Sequence, residues 1–363
     1  MTSAEVAVPD MLILGRESRG LSQEALAAES GVSQAYISKG ENDLIEVTGE
    51  RFEALAEALG YPIEFFLQHE HVAGVDALFH RRLRTVKVGE LKQLQAQINV
   101  MRVHVKRLMR GVTVETPYAF PRVDVDEVGG PERAAQLVRR AWRLPLGPVS
   151  SVVASIEAAG GVVVPIVIRT DKVSAAAQWP LTEDRPYFFV NAGHGGERQR
   201  FSLAHEIAHM VLHSYPVDEQ EDQADRFASE FLMPEAEIRP QLKARLTLER
   251  LGELKRYWKV SIAALIKRAS QLGIIDDKRM TSFYKMLAAR GWRKVEPLPI
   301  KPEKPTVLQD VIDTHQRVHK YSLEELSKLA RLKVRDFVST FGVSEDAVPP
   351  PTSESRMRLR VVG

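Results

Sequence analysis

The 363-residue sequence contains no cysteine. Disulfides, thiolate metal sites and cysteine nucleophiles are therefore excluded, and a reducing compartment suits the composition. No apolar run approaches the roughly 18 residues of a membrane-spanning helix, and no basic segment followed by a short apolar core opens the chain. These absences predict a cytoplasmic protein with no membrane partner. Positive charge is scarce in one place. Residues 1–70 hold four Lys/Arg (Arg16, Arg19, Lys39 and Arg51) against thirteen Asp/Glu, a net of −9. Phosphate neutralisation supplies most non-specific affinity for nucleic acid, and this stretch has little to offer it.

What is present begins with size. A chain this long, 44% hydrophobic and 27% charged, predicts two or three globular domains. The charge reverses over residues 78–113, where Arg81, Arg82, Arg84, Lys87, Lys92, Arg102, Lys106, Arg107 and Arg110 face only Glu90. Within that run Leu91, Leu94, Ile98, Met101, Val105 and Leu108 recur at 3-4-3-4-3 spacing, an a/d seam of about three heptads. Such a seam packs its helix on its own domain, the reading we prefer, or forms a dimer coil. In the second case two copies would present paired DNA-reading units to a two-fold operator, and the basic face would meet phosphates.

Residues 10–67 read as five short helices. Met11–Arg19 is the first. Ser22 caps Gln23–Ser30, which Gly31 closes, and Ser33 opens a third helix through Lys39. Arg51–Leu59 and Ile63–Leu67 follow. Helix, Gly-containing turn, helix is helix-turn-helix spacing. From "LSQEALAAESGVSQAYISKGEN" through "ERFEALAEALGYPIEFF" the sequence resembles the Cro-repressor (XRE) family of DNA-binding domains. The resemblance implies that the third helix enters the major groove. Ser33, Gln34, Tyr36 and Ser38 would then face bases, Gln23 and Asn42 would touch phosphates, and Lys39 would belong to the same DNA-binding set. The acidic balance of this stretch argues against strong phosphate binding, so protein contact is the competing use of the same fold.

The stretch Phe201 to His213 contains H-E-x-x-H on a helix-forming background. At 100° per residue His205, Glu206, His209 and His213 share one sector, with Leu203, Ile207, Met210 and Val211 opposite. Two histidines four residues apart on one face can hold one zinc, and Glu206 beside them can take a proton from an activated water. A second helix, Glu221 to Pro234, brings Glu221 as a third ligand, which leaves one position open. Asp225, one turn on, is placed to accept the second ring N–H of a ligating histidine. Zinc is expected, with manganese as the alternative for a carboxylate-containing set. His213, Tyr257, Arg198 and Arg200 are candidate oxyanion donors.

Around this site the order is helix (from Pro131), helix (from Pro148), strands at 162–168, 173–179 and 186–191, then the motif helix, which is an α+β arrangement. The strand at 186–191 is read as a core strand in preference to a peptide-binding edge. "RQRFSLAHEIAHMVLH…EDQADRFASEFLMP" resembles the ImmA/IrrE family of zinc metallo-endopeptidases. That resemblance implies a zincin-like fold, with His205, His209 and Glu221 as ligands and Glu206 as general base. The expected fold is multidomain and mostly α with an α+β part. Its divisions are a helix-turn-helix domain at 1–70, a basic connecting helix at 71–113, a peptidase domain at 114–290, a proline-rich stiff linker at 291–305, and a C-terminal helical unit at 306–363 with a disordered tail. Within that last unit "YSLEELSKLARLKVRDFVSTFG" reads faintly like a second helix-turn-helix, and an accessory bundle is preferred. The expected function is a DNA-binding regulator that cleaves a repressor or antitoxin partner. The alternatives are a transcription factor whose zinc domain senses or scaffolds, and a toxin–antitoxin component.

Overall fold

The computed structural model describes residues 5–70, 72, 87–168, 172–180, 182–213, 215, 217–343 and 358–361. The chain divides into two units, Met1–Glu115 with Val307–Gly363, and Thr116–Thr306.

The first unit opens with α1 (Pro9–Arg19), α2 (Gln23–Ser30), α3 (Gln34–Glu41), α4 (Gly49–Leu59) and α5 (Ile63–Phe66). Ser22 and Ser33 cap α2 and α3 through side-chain oxygens that accept from Ala25 N and Tyr36 N. Gly31 closes α2 at φ 72, a left-handed value that glycine adopts without strain. Met11, Leu26, Ile37, Phe52, Leu55, Phe65 and Phe66 make the core.

The long helix α6 (Val88–Leu108) passes through this unit, and it changes the reading of the basic run. Ala96, Val100 and Val103 join the core of the first five helices, while Leu94, Ile98, Val105 and Leu108 of the heptad seam are buried inside the same unit. The seam is therefore spent on internal packing and is not free to form the dimer coil. That agrees with the preferred reading of the seam, but the basic face is corrected. Arg102 and Arg107 are buried, and Lys106 pairs with Glu70 at 2.6 Å. Lys87, Lys92 and Arg110 remain exposed. Arg81, Arg82 and Arg84 lie outside the described residues.

After α6 comes β1 (Val112–Glu115). In the second unit the elements are α7 (Pro131–Ala141), α8 (Val152–Ala158), β2 (Val162–Ile166), β3 (Ala175–Gln178), β4 (Tyr187–Asn191), α9 (Gly196–Leu212), α10 (Gln220–Leu232), α11 (Glu235–Lys243), α12 (Leu248–Trp258), α13 (Ile262–Gln271) and α14 (Asp277–Ala289). The sheet order is β2-β4-β3, with β2 parallel and β3 antiparallel to β4. β4 is central and buried throughout, so it offers no edge to a peptide. Pro165 sits in β2, an edge strand, where its missing N–H costs no ladder bond.

Residues 291–305 are not a spacer. Glu296 accepts from Ile262 N and Ala263 N at the start of α13 and from the buried Lys255. Ile300 O accepts from Gly196 N, and a β-carbon at Gly196 would collide with the Lys301 carbonyl. Glu303 accepts from Ser151 Oγ and Val153 N at the start of α8 and pairs with the buried Arg200. Carboxylates at helix N-termini and beside buried cations make this segment a strap across its own unit.

The chain then returns to the first unit as α15 (Val307–Arg317), α16 (Leu323–Ala330) and α17 (Val334–Phe341). His315 Nε2 lies 2.7 Å from Leu108 O, and His104 Nδ1 lies 2.7 Å from Ala330 O. These are buried ring-to-carbonyl bonds that fasten α6 to α15 and α16. The C-terminal helices are thus part of the first unit and not a separate body. The tail expected to be disordered contains β5 (Arg358–Val361), antiparallel to β1 with Val112 opposite Val361.

Candidate metal centre and helix-turn-helix surface

Helices α9 and α10 meet through Ala204, Ile207 and Ala208 on one side and Ala224, Phe227 and Ala228 on the other, all fully buried. Alanines at the contact let the axes approach closely enough for short polar side chains to span the gap. On α10, Glu221 and Asp225 stand one turn apart on one face. On α9, His205 and His209 do the same.

The result is a tripod. His205 Nε2 and His209 Nε2 lie 3.1 Å apart, and the Glu221 carboxylate lies 3.6 Å from the first and 3.5 Å from the second. Ligands about 2.1 Å from a tetrahedral ion stand about 3.4 Å from each other, so the three donors fit a divalent ion such as zinc.

The outer hydrogen bonds fix which ring nitrogens carry protons. Asp225 Oδ1 can only accept, so His205 Nδ1 donates to it at 2.9 Å, and the neutral ring keeps a lone pair on Nε2. Lys267 Nζ holds the other Asp225 oxygen at 2.7 Å. On the second side Gln223 Oε1 accepts from His213 Nε2 at 2.9 Å. His213 Nδ1 is then an acceptor and takes the proton of His209 Nδ1, also at 2.9 Å. His209 Nε2 is therefore a lone pair as well. Two imidazole lone pairs and a carboxylate converge on one point, an arrangement that a cation stabilises. Burial lowers the His209 imidazole to about 4, so it is neutral at pH 7.

His205, His209, Glu221 and Asp225 are brought together by the fold, and Glu206 is half-buried on the same helix. Two oxyanion candidates are committed elsewhere. His213 serves the His209 ring. Arg200 is buried, donates to Lys259 O and Val149 O, and pairs with Glu303. Arg198 donates to Ser174 Oγ at 2.8 Å, and Tyr257 lies against Gly147. Three partners were not read from the sequence in these roles. His213 shares the motif's helical sector, and Gln223 follows Glu221 by two, so both had a local signal. Lys267, 42 residues past Asp225, had none. A cavity of about 740 Å³ opens beside His213 and Gln223, lined also by Arg122, Leu212, Tyr215 and Val217.

In the helix-turn-helix, the seven expected DNA-contact residues cluster on and around α3. Ser33, Gln34, Lys39 and Asn42 are exposed, and Gln23, Tyr36 and Ser38 are half-buried. Several are engaged internally. Gln34 donates to Gln23 at 2.9 Å, and Gln23 donates to Glu41 at 2.7 Å. Glu41 is itself buried against Arg16 at 2.6 Å. The Tyr36 ring lies under Arg51 at 4.7 Å, and Asn42 Nδ2 donates to Ser38 O at 2.7 Å. Glu41 is thus neutralised by a cation of its own domain, while Glu24, Glu29, Asp43, Glu46 and Glu50 stay exposed. Among the described residues no helix is long and apolar enough to cross a membrane.

Comparison with known proteins agrees with this division. Residues 13–66, from α1 to the end of α5, match the helix-turn-helix family model. Residues 162–270, from β2 into α13, match the model of the IrrE N-terminal-like domain, a metallopeptidase-type family. No curated protein matches the chain. The chain therefore joins a helix-turn-helix domain to an IrrE-like peptidase-family domain.

Proposed function

We propose that the protein is a DNA-binding regulator whose second unit is a zinc-dependent endopeptidase acting on a protein partner of repressor or antitoxin type. The observation that carries this reading is the tripod of His205, His209 and Glu221, with both histidine tautomers set to present lone pairs. Zinc, or manganese in its place, supplies Lewis acidity at that point. The chain's own residues do the rest. His205, His209 and Glu221 hold the ion. Asp225 and His213 orient the two rings. Glu206 takes a proton from the attacking water and returns it to the leaving amine.

The test is Glu206→Gln. The variant should keep one metal per chain and keep DNA binding, and it should lose cleavage of proteins that the wild type cuts. Proteins that accumulate with Glu206→Gln and are cut by the wild type identify the substrate. If target-gene regulation is the same in both strains, the metal domain senses or scaffolds and the endopeptidase reading fails.

A further inference from the structure

The first unit contains a second helix pair built on the plan of α2 and α3. Counted from Ser22 and Ser322 the two match position for position, 300 residues apart. Ser22 caps Gln23–Ser30 and Ser322 caps Leu323–Ala330, each through a side-chain oxygen that accepts from the N–H three residues on. Gly31 and Arg331 then turn the chain at left-handed φ of 72 and 60. Ser33 and Lys333 restart it at φ −62, ψ 141 and φ −70, ψ 147, and α3 and α17 each run eight residues. The inward positions agree as well. Leu26, Val32 and Ile37 are 2, 7 and 2% exposed, against 0, 8 and 0% for Leu326, Leu332 and Phe337. A helix precedes each pair, α1 and α15.

The two pairs differ in charge. Residues 20–42 hold Lys39 against Glu24, Glu29 and Glu41, whereas 320–342 hold Lys320, Lys328, Arg331, Lys333 and Arg335 against Glu324, Glu325 and Asp336. Glu325 is used in the capping box with Ser322. Lys333 and Arg335, at the start of α17, are exposed. An arginine in a left-handed turn also costs more than the glycine of the first pair, so this geometry is held by its surroundings.

We propose that Leu323–Phe341 is a second helix-turn-helix that binds double-stranded DNA. In it α17 faces the groove, and Lys333 and Arg335 meet phosphates that the acidic first motif is poorly equipped to neutralise. The proposal extends the DNA-binding reading to a second element and can fail separately from it. Full-length protein is titrated against a labelled random-sequence 30-base-pair duplex by fluorescence anisotropy at several salt concentrations between about 50 and 200 mM. The variants are Lys333→Ala with Arg335→Ala, and Gln34→Ala with Lys39→Ala. Both pairs are exposed, and equal thermal melts check folding. The first pair should weaken binding on the order of tenfold at low salt and reduce the slope of log K against log salt by about two, one per phosphate contact. That loss should persist when the two pairs are combined. A slope and affinity unchanged by the Lys333 and Arg335 substitutions would overturn the second motif, and a loss confined to the Gln34 and Lys39 variant would leave only the first. No duplex binding by the wild type at any salt, or a preference for single strands, would overturn both.

Discussion

Replacing His213 with leucine tests the tautomer argument at one atom. His209 Nδ1 donates to His213 Nδ1 at 2.9 Å, and His213 is itself fixed by Gln223. Leucine has similar bulk and no acceptor, so the largely buried His209 N–H loses its partner. An unpaired buried donor costs about 1–3 kcal/mol. The ring can recover part of that by rotating or by moving its proton to Nε2, and either change spoils the lone pair aimed at the ion. Loss of an outer partner typically weakens metal binding about 10- to 100-fold, or about 1.4–2.7 kcal/mol. The assay is zinc affinity by competition with a chromophoric chelator, supported by the visible spectrum of the cobalt-substituted protein. His213→Asn is the control, because its side-chain oxygen can sit near the lost Nδ1 and should restore most of the affinity. If His213→Leu binds zinc within about twofold of wild type with the same cobalt spectrum, His213 does not set the His209 ring and the reasoning is wrong.

Asp225→Ala should produce the same weakening through His205, and the double variant should show whether the two rings are oriented independently; zinc competition again reports it. Burial lowers His104 to about 4 from 6.5, so the folded state binds fewer protons than the unfolded one between those values. Stability should fall as pH drops through that window, by up to about 3 kcal/mol for this group. His104→Phe should flatten that part of the melting-temperature curve, and an unchanged acid slope would refute the assignment. Lys255 is fully buried between Glu197 at 2.6 Å and Glu296 at 2.8 Å. Lys255→Met leaves two carboxylates facing each other and should cost about 3–5 kcal/mol by denaturant titration. Glu303→Ala strips Arg200 and the start of α8 of their shared carboxylate, and calorimetry should show a lower melting temperature for the second unit.

What could be read beforehand was the chemistry that sits close together in sequence. The pairing of His205 with His209, and of Glu221 with Asp225, follows from helical periodicity alone, and Ser22, Gly31 and Ser33 announce their helix ends. The points that the sequence left open or misassigned depend on what packs against what. The heptad seam of α6 looks the same whether it meets a second chain or α15 and α16, since burial of Ile98 and Leu108 is satisfied either way. The prolines of 291–305 signal extended backbone, but they do not reveal that Glu296, Ile300 and Glu303 bond this segment to α8, α9, α12 and α13. The second helix-turn-helix was faint because Arg331 occupies a position where glycine is the usual sign.

The division of the chain sets a timetable. The first unit is made from both ends of the sequence, and the second is inserted between them. Tyr118 N and Thr306 N, just inside its two ends, both bond to α8, at Ala158 O and Glu157, so the insertion leaves close to where it enters. On a ribosome working at about 5–20 residues per second, α6 emerges roughly 10–40 s before α16 exists to cover it. Throughout that interval the faces bearing Ile98, His104, Val105 and Leu108 await their partners, while the second unit can complete its own core. The order of synthesis thus lets the second unit close its core before the first, which is completed only once α15, α16 and α17 have been made.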